Sequence, residues 1–370
     1  MAILDRFRVQ TKTAATAPDV AATDLAPLMN INSLYTFINT PITATYSEFI
    51  SIPAANRAKS IIASSIASIP IILRDRSTGM RLDAPLIFNT PDRRLPGQAT
   101  YGWTASDLLL YGFAYWQIAE LYQDTFRVRS VQRIAPERVG IETNADANTI
   151  TGYTIDGIRI PDSGIGSLVV FYAPGDVGVL NRAGRTIRTG AQLEAAALNY
   201  AREPIPSMVL KSNGSALPAD RIAKLLEQWG VARRNRTTAY LNADINLEKV
   251  GFTPEELGLN SAREHIATEI SRACGIPAYF VDAPTGSSMT YSNATLARQS
   301  LLDFSLIPIM NAIEQRLSMP DFCPSSQVAR YDLDMYLRGS SLERAQVYEI
   351  YNRIGVMNAD EIMRKEDMAL

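Results

Sequence analysis

The sequence predicts an α+β fold in which long amphipathic helices surround a block of short antiparallel strands. Three observations carry this. Apolar residues recur at three- and four-residue steps in several stretches, as at Ala58, Ile61, Ile62, Ile66 and Ile69. Between residues 127 and 172 the pattern changes to short β-rich runs separated by Asn, Asp, Gly and Pro. The 370 residues, 46% hydrophobic and 20% charged, have the balance of a packed globular chain, long enough for one or two intertwined modules.

Along the chain, residues 11–29 are rich in Ala, Thr, Asp and Pro without hydrophobic period and read as a loosely ordered arm, with order expected from about Tyr35. Pro53 suits a first helical turn and opens a helix that Pro70 stops. A short strand is expected over Ile71–Arg74 and a helix over Thr104–Leu121, with Leu108, Leu109, Tyr111, Tyr115 and Trp116 buried. Strands follow at Arg127–Ile134, Val139–Glu142, Tyr153–Ile160 and Ser167–Tyr172, in antiparallel hairpins. An Ala-rich helix over residues 188–202 precedes a strand at Met208–Lys211.

The last third reads mostly as helix. Pro218 opens a helix with an apolar stripe of Ile222, Leu225, Leu226 and Trp229, ending in the basic run Arg233, Arg234, Arg236. Thr238–Leu241 and Asn246–Val250 suggest a hairpin around Asn242-Ala243-Asp244. Thr253 to Glu256 and Ser261 to Glu264 both have capping-box spacing, the second opening a helix to Ala273 closed by Gly275 and Pro277. The small polar residues of 284–293 predict a mobile loop, followed by a long helix to about Leu317 that Pro308 should kink. Helices over 341–353 and 358–366 joined at Gly355 complete the chain.

Several function classes lack support. A net charge of -2, from 36 basic and 38 acidic side chains, supplies no global attraction to nucleic acid. His265 is the single histidine and no catalytic or metal motif surrounds it. No Gly-x-x-x-x-Gly-Lys-Ser/Thr run occurs, and Gly175, Gly178 and Gly184 do not have dinucleotide-binding spacing, so neither a nucleotide site nor another cofactor is expected. Asp332 with Asp334, and Glu255 with Glu256, could in principle hold magnesium, but the first pair alternates on an expected strand and the second belongs to a helix start. No metal site is therefore expected.

Cys274 and Cys323 have no redox or metal spacing and read as free thiols. The longest apolar stretch, residues 61–73, is interrupted by serines and a proline and falls short of the roughly 20 residues that cross a bilayer. The first ten residues lack the apolar core of a secretory signal, so synthesis and residence in the cytoplasm are expected.

From about residue 45 onward the order of segments resembles the portal proteins of tailed bacteriophages, of the HK97-like portal family. The strings that carry the resemblance begin with Ile52-Pro53-Ala54-Ala55-Asn56-Arg57 through Ile69-Pro70, then Asp107 to Tyr115 and Ile134-Ala135-Pro136-Glu137-Arg138-Val139. Asn213-Gly214 before Pro218 and Glu269 to Pro277 continue the series. Thr290-Tyr291-Ser292-Asn293, Ile307-Pro308, Tyr331 to Asp334, Leu337-Arg338-Gly339 and Asn358-Ala359-Asp360-Glu361 close it.

The resemblance implies a portal fold with wing, two-helix stem, small α/β clip, long kinked channel helix and short helical crown. Its expected layout is a flexible arm over 1–34, wing over 35–216, stem helices over 217–236 and 260–279, clip over 237–259, channel loop and long helix over 280–318, and wing return with reduced crown over 319–370. It implies a homo-oligomeric ring of about twelve subunits, a passive conduit for double-stranded DNA without sequence recognition, and no enzymatic activity. Expected partners are the terminase, the major capsid protein and head-tail adaptor proteins, with no membrane contact. The expected location is the portal vertex of the virion, after assembly in the host cytoplasm. Gly286, Ser287, Ser288, Met289 and Thr290 are expected on the loop facing DNA, and Arg233, Arg234 and Arg236 near DNA or the terminase, against the simpler reading that the arginines offset a helix dipole. A ring-forming adaptor or capsid component without a DNA channel, and a metal-dependent DNA-processing enzyme, remain open as alternatives.

Overall fold

The computed structural model describes residues 44–144, 149–175, 177–202, 208–212, 218–234, 245–249, 258–281, 297–337 and 341–366. Its first helices are α1 (Tyr46–Ser51) and α2 (Pro53–Ser68). Thr45 caps α1 in a full capping box with Glu48, whose carboxylate accepts the Thr45 N–H at 2.7 Å. Strands β1 (Ile71–Asp75) and β2 (Arg81–Leu82) follow, then the short helix α3 (Leu86–Asn89) and α4 (Gly97–Tyr111).

The first correction lies here. The helix expected over Thr104–Leu121 ends at Tyr111, and residues Phe113–Leu121 form strand β3. Gly112 adopts φ 85°, the left-handed conformation that terminates a helix and that glycine reaches without steric cost. The Phe, Tyr, Trp and Ile of the following segment suit a strand better than a helix. Strand β4 (Val128–Ile134) pairs antiparallel with one edge of β3 and β8 (Leu168–Tyr172) with the other. A second small sheet joins β5 (Val139–Thr143), β6 (Ile150–Ile155) and β7 (Ile158–Arg159). The strand expected over Tyr153–Ile160 is thus split, because Asp156 and Gly157 both take positive φ in a tight hairpin turn.

Next come α5 (Val179–Arg182), α6 (Gly184–Arg202), β9 (Met208–Ser212), α7 (Ala219–Arg234), β10 (Ile245–Lys249) and α8 (Leu259–Cys274). Strand β10 covers most of the second strand of the expected hairpin and pairs antiparallel with β9, on the other side of α7 in sequence. Thr238–Leu241 lies outside the described residues, as do the Thr253 cap and the expected loop over 284–293. Ser261 does not cap α8. The helix starts two residues earlier, and the Ser261 hydroxyl donates to the Gly258 carbonyl at 2.9 Å.

The long helix is described from residue 297 and contains a π-helical turn, Leu302–Leu306, before α9 (Ile307–Leu317). The expected effect of Pro308 takes this form. Proline offers no N–H to the preceding turn, and the Ile307 N–H reaches back five residues to the Leu302 carbonyl. Strand β11 (Gln327–Tyr331) then pairs antiparallel with β1. It stops before Asp332, so Asp332 and Asp334 do not alternate on a strand; Asp334 begins α10 (Asp334–Leu337). Helices α11 (Ser341–Arg353) and α12 (Ala359–Lys365) end the described chain, joined through Gly355 at φ 75°.

One core unites α1, α2, α4, the β3 sheet, α8 and α9, with Phe49, Ile62, Leu108, Phe171 and Ile313 among its fully enclosed side chains. Trp116 lies at its centre, edge-on to Phe171 at 4.6 Å, with its indole N–H donated to Thr104 Oγ1 at 2.8 Å. The hydrogen bond removes the penalty of burying a polar atom in an apolar setting. Cys274 and Cys323 are buried and free, and burial pushes the Cys274 thiol up to about 12.

Candidate functional site

The element that departs most from a compact body is a stalk made of α6, α8, β9 and β10. Helix α6 is rich in Ala, Leu, Glu and Arg, which favour helix, and its 19 residues extend about 28 Å. Contacts along it step down α8 as they step up α6. Arg182, just before α6, donates from Nη2 to the Ala273 carbonyl at 3.0 Å. Gly190 faces Ile52 and Ile266 so closely that an added Cβ would lie 2.7 Å and 2.9 Å from their side chains. Further on, Arg263 Nε and Nη2 donate to the two oxygens of Glu194 at 2.9 and 3.1 Å.

The two helices are therefore antiparallel, and the ladder continues in the same sense: Met208 pairs with Lys249 and Ser212 with Ile245. Two chain segments run side by side from the body through a helix pair into a strand pair. The connection between β9 and β10 carries α7. Of the stripe expected on this helix, Ile222 is 43% and Leu226 56% exposed, while Leu225 and Trp229 are half-buried. An amphipathic helix is stabilised mainly by what its apolar stripe touches.

At the body end of the stalk, a cleft of about 640 Å³ opens between α5, the C-terminus of α8 and the π-helical turn. Arg182, Glu269, Arg272 and Phe304 are among its lining residues. Ser305 donates its hydroxyl to the Gly275 carbonyl, fixing the turn against the end of α8. Phe304 on the same turn is 74% exposed. Arg182 and Arg272 both have partners, the Ala273 carbonyl and the Glu269 carboxylate. A proton-transfer or nucleophilic pair does not arise from this lining.

The body has one buried ion pair of note. Arg133 donates from Nε and Nη2 to the carboxylate of Asp107 at 2.8 and 2.7 Å, tying α4 to β4. Burial pushes the Asp107 carboxyl up to about 6 against the pull of that guanidinium. Tyr111 donates to Glu137 Oε1 at 2.6 Å nearby, and Trp103 lies under the Arg133 guanidinium at 5.7 Å. These contacts hold elements together. Among the described residues no three His, Cys, Asp or Glu side chains gather as metal ligands would.

Of the residues singled out in the sequence, Arg233 and Arg234 form the end of α7, the far part of the stalk. Arg236 and the run Gly286 to Thr290 lie outside the described residues. His265 is exposed on α8. Sequence reasoning missed α6 as the helix running beside α8 and expected residues 217–236 in that place. The signal was present: Ile187, Gly190, Leu193, Glu194 and Ala197 recur at helical spacing, with small residues where the second helix must approach.

Comparison with known proteins adds a family. A family model described as phage portal protein matches residues 53–367. The chain is 21% identical to the probable portal protein of Streptomyces phage phiC31 over 359 residues, covering 88% of this chain and 76% of that one. Among solved structures, an HK97 family phage portal protein from Corynebacterium diphtheriae superposes with a TM-score of 0.61 at 22% identity, covering 80% of this chain and 97% of that one. A chain from the neck of an empty gene transfer agent particle, computed with C6 symmetry, superposes at 0.60 with 18% identity, over 88% and 93% of the two chains.

Proposed function

This chain belongs to the phage portal protein family, and from that membership we propose how its parts serve a portal subunit. The fold is the α+β portal fold, and the family is a structural one found in phage particles. In our reading, copies of the chain close into a ring at one capsid vertex. Duplex DNA passes through the ring during packaging and ejection, and the subunit itself catalyses nothing. The stem is α6 with α8, and the clip is the unit of β9, α7 and β10, which revises the boundaries expected from sequence.

The observation that carries the reading is the stalk. An antiparallel pair held by Gly190, the Glu194–Arg263 fork and a continuing strand ladder is a rigid spoke, and the helix at its end exposes Ile222 and Leu226 of its apolar stripe. Side-by-side spokes would bury that stripe against the next copy and leave an axial hole. A net charge of -2 suits sliding, since neutralising many phosphates would release counterions and hold the duplex in place.

Further assignments within this reading are that Gly286, Ser287, Ser288, Met289 and Thr290 face DNA in the channel, and that Arg233, Arg234 and Arg236 meet DNA or the terminase. The ring would also touch the major capsid protein and head-tail adaptor proteins in the virion. Particles assembled without the chain should contain no packaged genome, and resupplying it should restore packaging; packaging that proceeds in its absence contradicts the reading. Deleting residues 286–290 should change packaged genome length, and an unchanged length removes the loop assignment. Alanine at all three arginines should impair packaging, whereas wild-type packaging returns them to the role of offsetting the α7 dipole.

A further inference from the structure

Three loops meet at the far end of β3, nine residues and about 30 Å of strand from the end that adjoins α4. Val128 donates its N–H to the Asp321 carbonyl at 2.8 Å, joining the β3–β4 turn to the segment before β11. Arg76 does the same with Ser326 at 2.8 Å, bringing in the β1–β2 turn. Nothing in the conduit reading uses this end.

Two features of the β3–β4 turn are costly within the subunit. Phe126 has φ 55°, in a turn closed by the Phe126 N–H to the Tyr122 carbonyl at 3.0 Å and the Tyr122 N–H to the Arg127 carbonyl at 2.8 Å. Glycine or asparagine is the usual occupant of such a position, and a bulky side chain there is strained. The Phe126 ring recovers little by packing, since it is 75% exposed. Its neighbour Arg127 has Nε enclosed without an acceptor.

The surroundings are cationic and apolar. Arg76 donates from Nε to the Gln327 carbonyl at 3.2 Å and Arg74 from Nη1 to the Gly79 carbonyl at 3.1 Å, neither to a carboxylate. The local carboxylates are engaged elsewhere. Arg316 holds both oxygens of Asp321 at 2.9 and 2.7 Å, Asp75 Oδ1 accepts from the Ser77 and Thr78 N–H groups at 2.9 Å each, and Asp124 Oδ1 accepts from the Thr125 N–H at 2.8 Å. Burial pushes the Cys323 thiol up, and the charges of Arg76 and Arg127 pull it back down. Met80 and Met319 are 67% and 44% exposed on the other two loops.

We propose that this loop cluster docks an acidic, apolar segment of a second protein, with Phe126 as the buried anchor and a carboxylate of the partner received by Arg127 and Arg76. Aromatic and arginine side chains are the residues that dominate protein interfaces, and a partner carboxylate would pair with a guanidinium such as that of Arg76, which donates to a carbonyl within the subunit. Duplex DNA fits less well. Phosphates have no use for exposed Phe and Met side chains. The inference stands apart from the conduit reading, because it concerns the opposite end of β3 and its readout needs no DNA passage.

The test uses the purified full chain and three labelled probes: a short peptide alternating Asp and Leu, the same peptide with Lys for Asp, and a short DNA duplex. The acidic peptide should bind, the other two should not, and Phe126→Asn and Arg127→Gln should each weaken binding at least about tenfold. Phe126→Asn should also raise the thermal midpoint, by about 2 °C, as the turn relaxes. Equal binding by the variants, binding of the duplex or the Lys peptide instead, or no peptide binding at all would overturn the proposal. A lowered midpoint for Phe126→Asn would overturn it too, by showing that the ring serves the fold.

Discussion

The body and the stalk of this subunit are stabilised in opposite ways. In the body, α2, α4 and the β3 sheet enclose Trp116, Phe171, Ile62 and Leu108, and polar atoms inside it are mostly answered within the chain. In the stalk, one close glycine contact and an ion-pair fork hold α6 to α8, and the helix beyond leaves Ile222 and Leu226 to solvent. The difference teaches that the body, with the near ends of α6 and α8, closes its apolar surface within the chain, whereas the helix at the far end of the stalk leaves part of its own exposed. A helix with exposed apolar residues gains stability when a neighbour covers them.

The largest effect should come from the body. Trp116→Ala removes the central side chain and should cost about 3–5 kcal/mol by denaturant unfolding. A loss under about 1 kcal/mol would mean that the core described around Trp116 does not carry the fold. Next is the junction. Gly190→Leu has no room beside Ile52 and Ile266 and should cost about 1–3 kcal/mol. Hydrogen exchange should rise in α6 and α8 before it rises in α4; a uniform rise would erase the distinction between the two regions.

Asp107 offers a subtler probe. Its folded value, about 6, lies above the ordinary 3.8, so the native state binds its proton more tightly and the stability this group contributes falls as pH rises through that window. The stability of wild type minus that of Asp107→Asn should therefore decline between about pH 4 and pH 6. A difference that rises over the same range would show that the Arg133 pairing outweighs burial. The smallest effect on folding belongs to the stalk: Leu226→Asp should change subunit stability by no more than about 0.5 kcal/mol while abolishing assembly, read by light scattering.

Much of the body was legible in the sequence because its periodicity is local. The helix from Pro53, the strands near 128–134 and 168–172, and the two closing helices follow from spacing, glycine and proline. The failures share one cause, namely that the decisive contact is distant in sequence. Residues 113–121 read as helix because Leu108 to Trp116 has helical spacing, yet the left-handed Gly112 and two flanking strands make β3. Likewise β10 pairs with β9, and α8 with α6, contacts no local rule ranks. The π-helical turn was foreshadowed by Pro308, although a kink and a widened turn look alike in one dimension. Of the candidate site, only the end of α7 with Arg233 and Arg234 is among the described residues, and it was singled out by its run of basic residues at a helix end.

The measurement that tests the central claim most directly is the mass of the purified chain in solution combined with electron microscopy of the same sample. The account predicts a closed ring in which stalks stand side by side around an axial hole wide enough for duplex DNA. A stable monomer, or a closed assembly without such a hole, would contradict it.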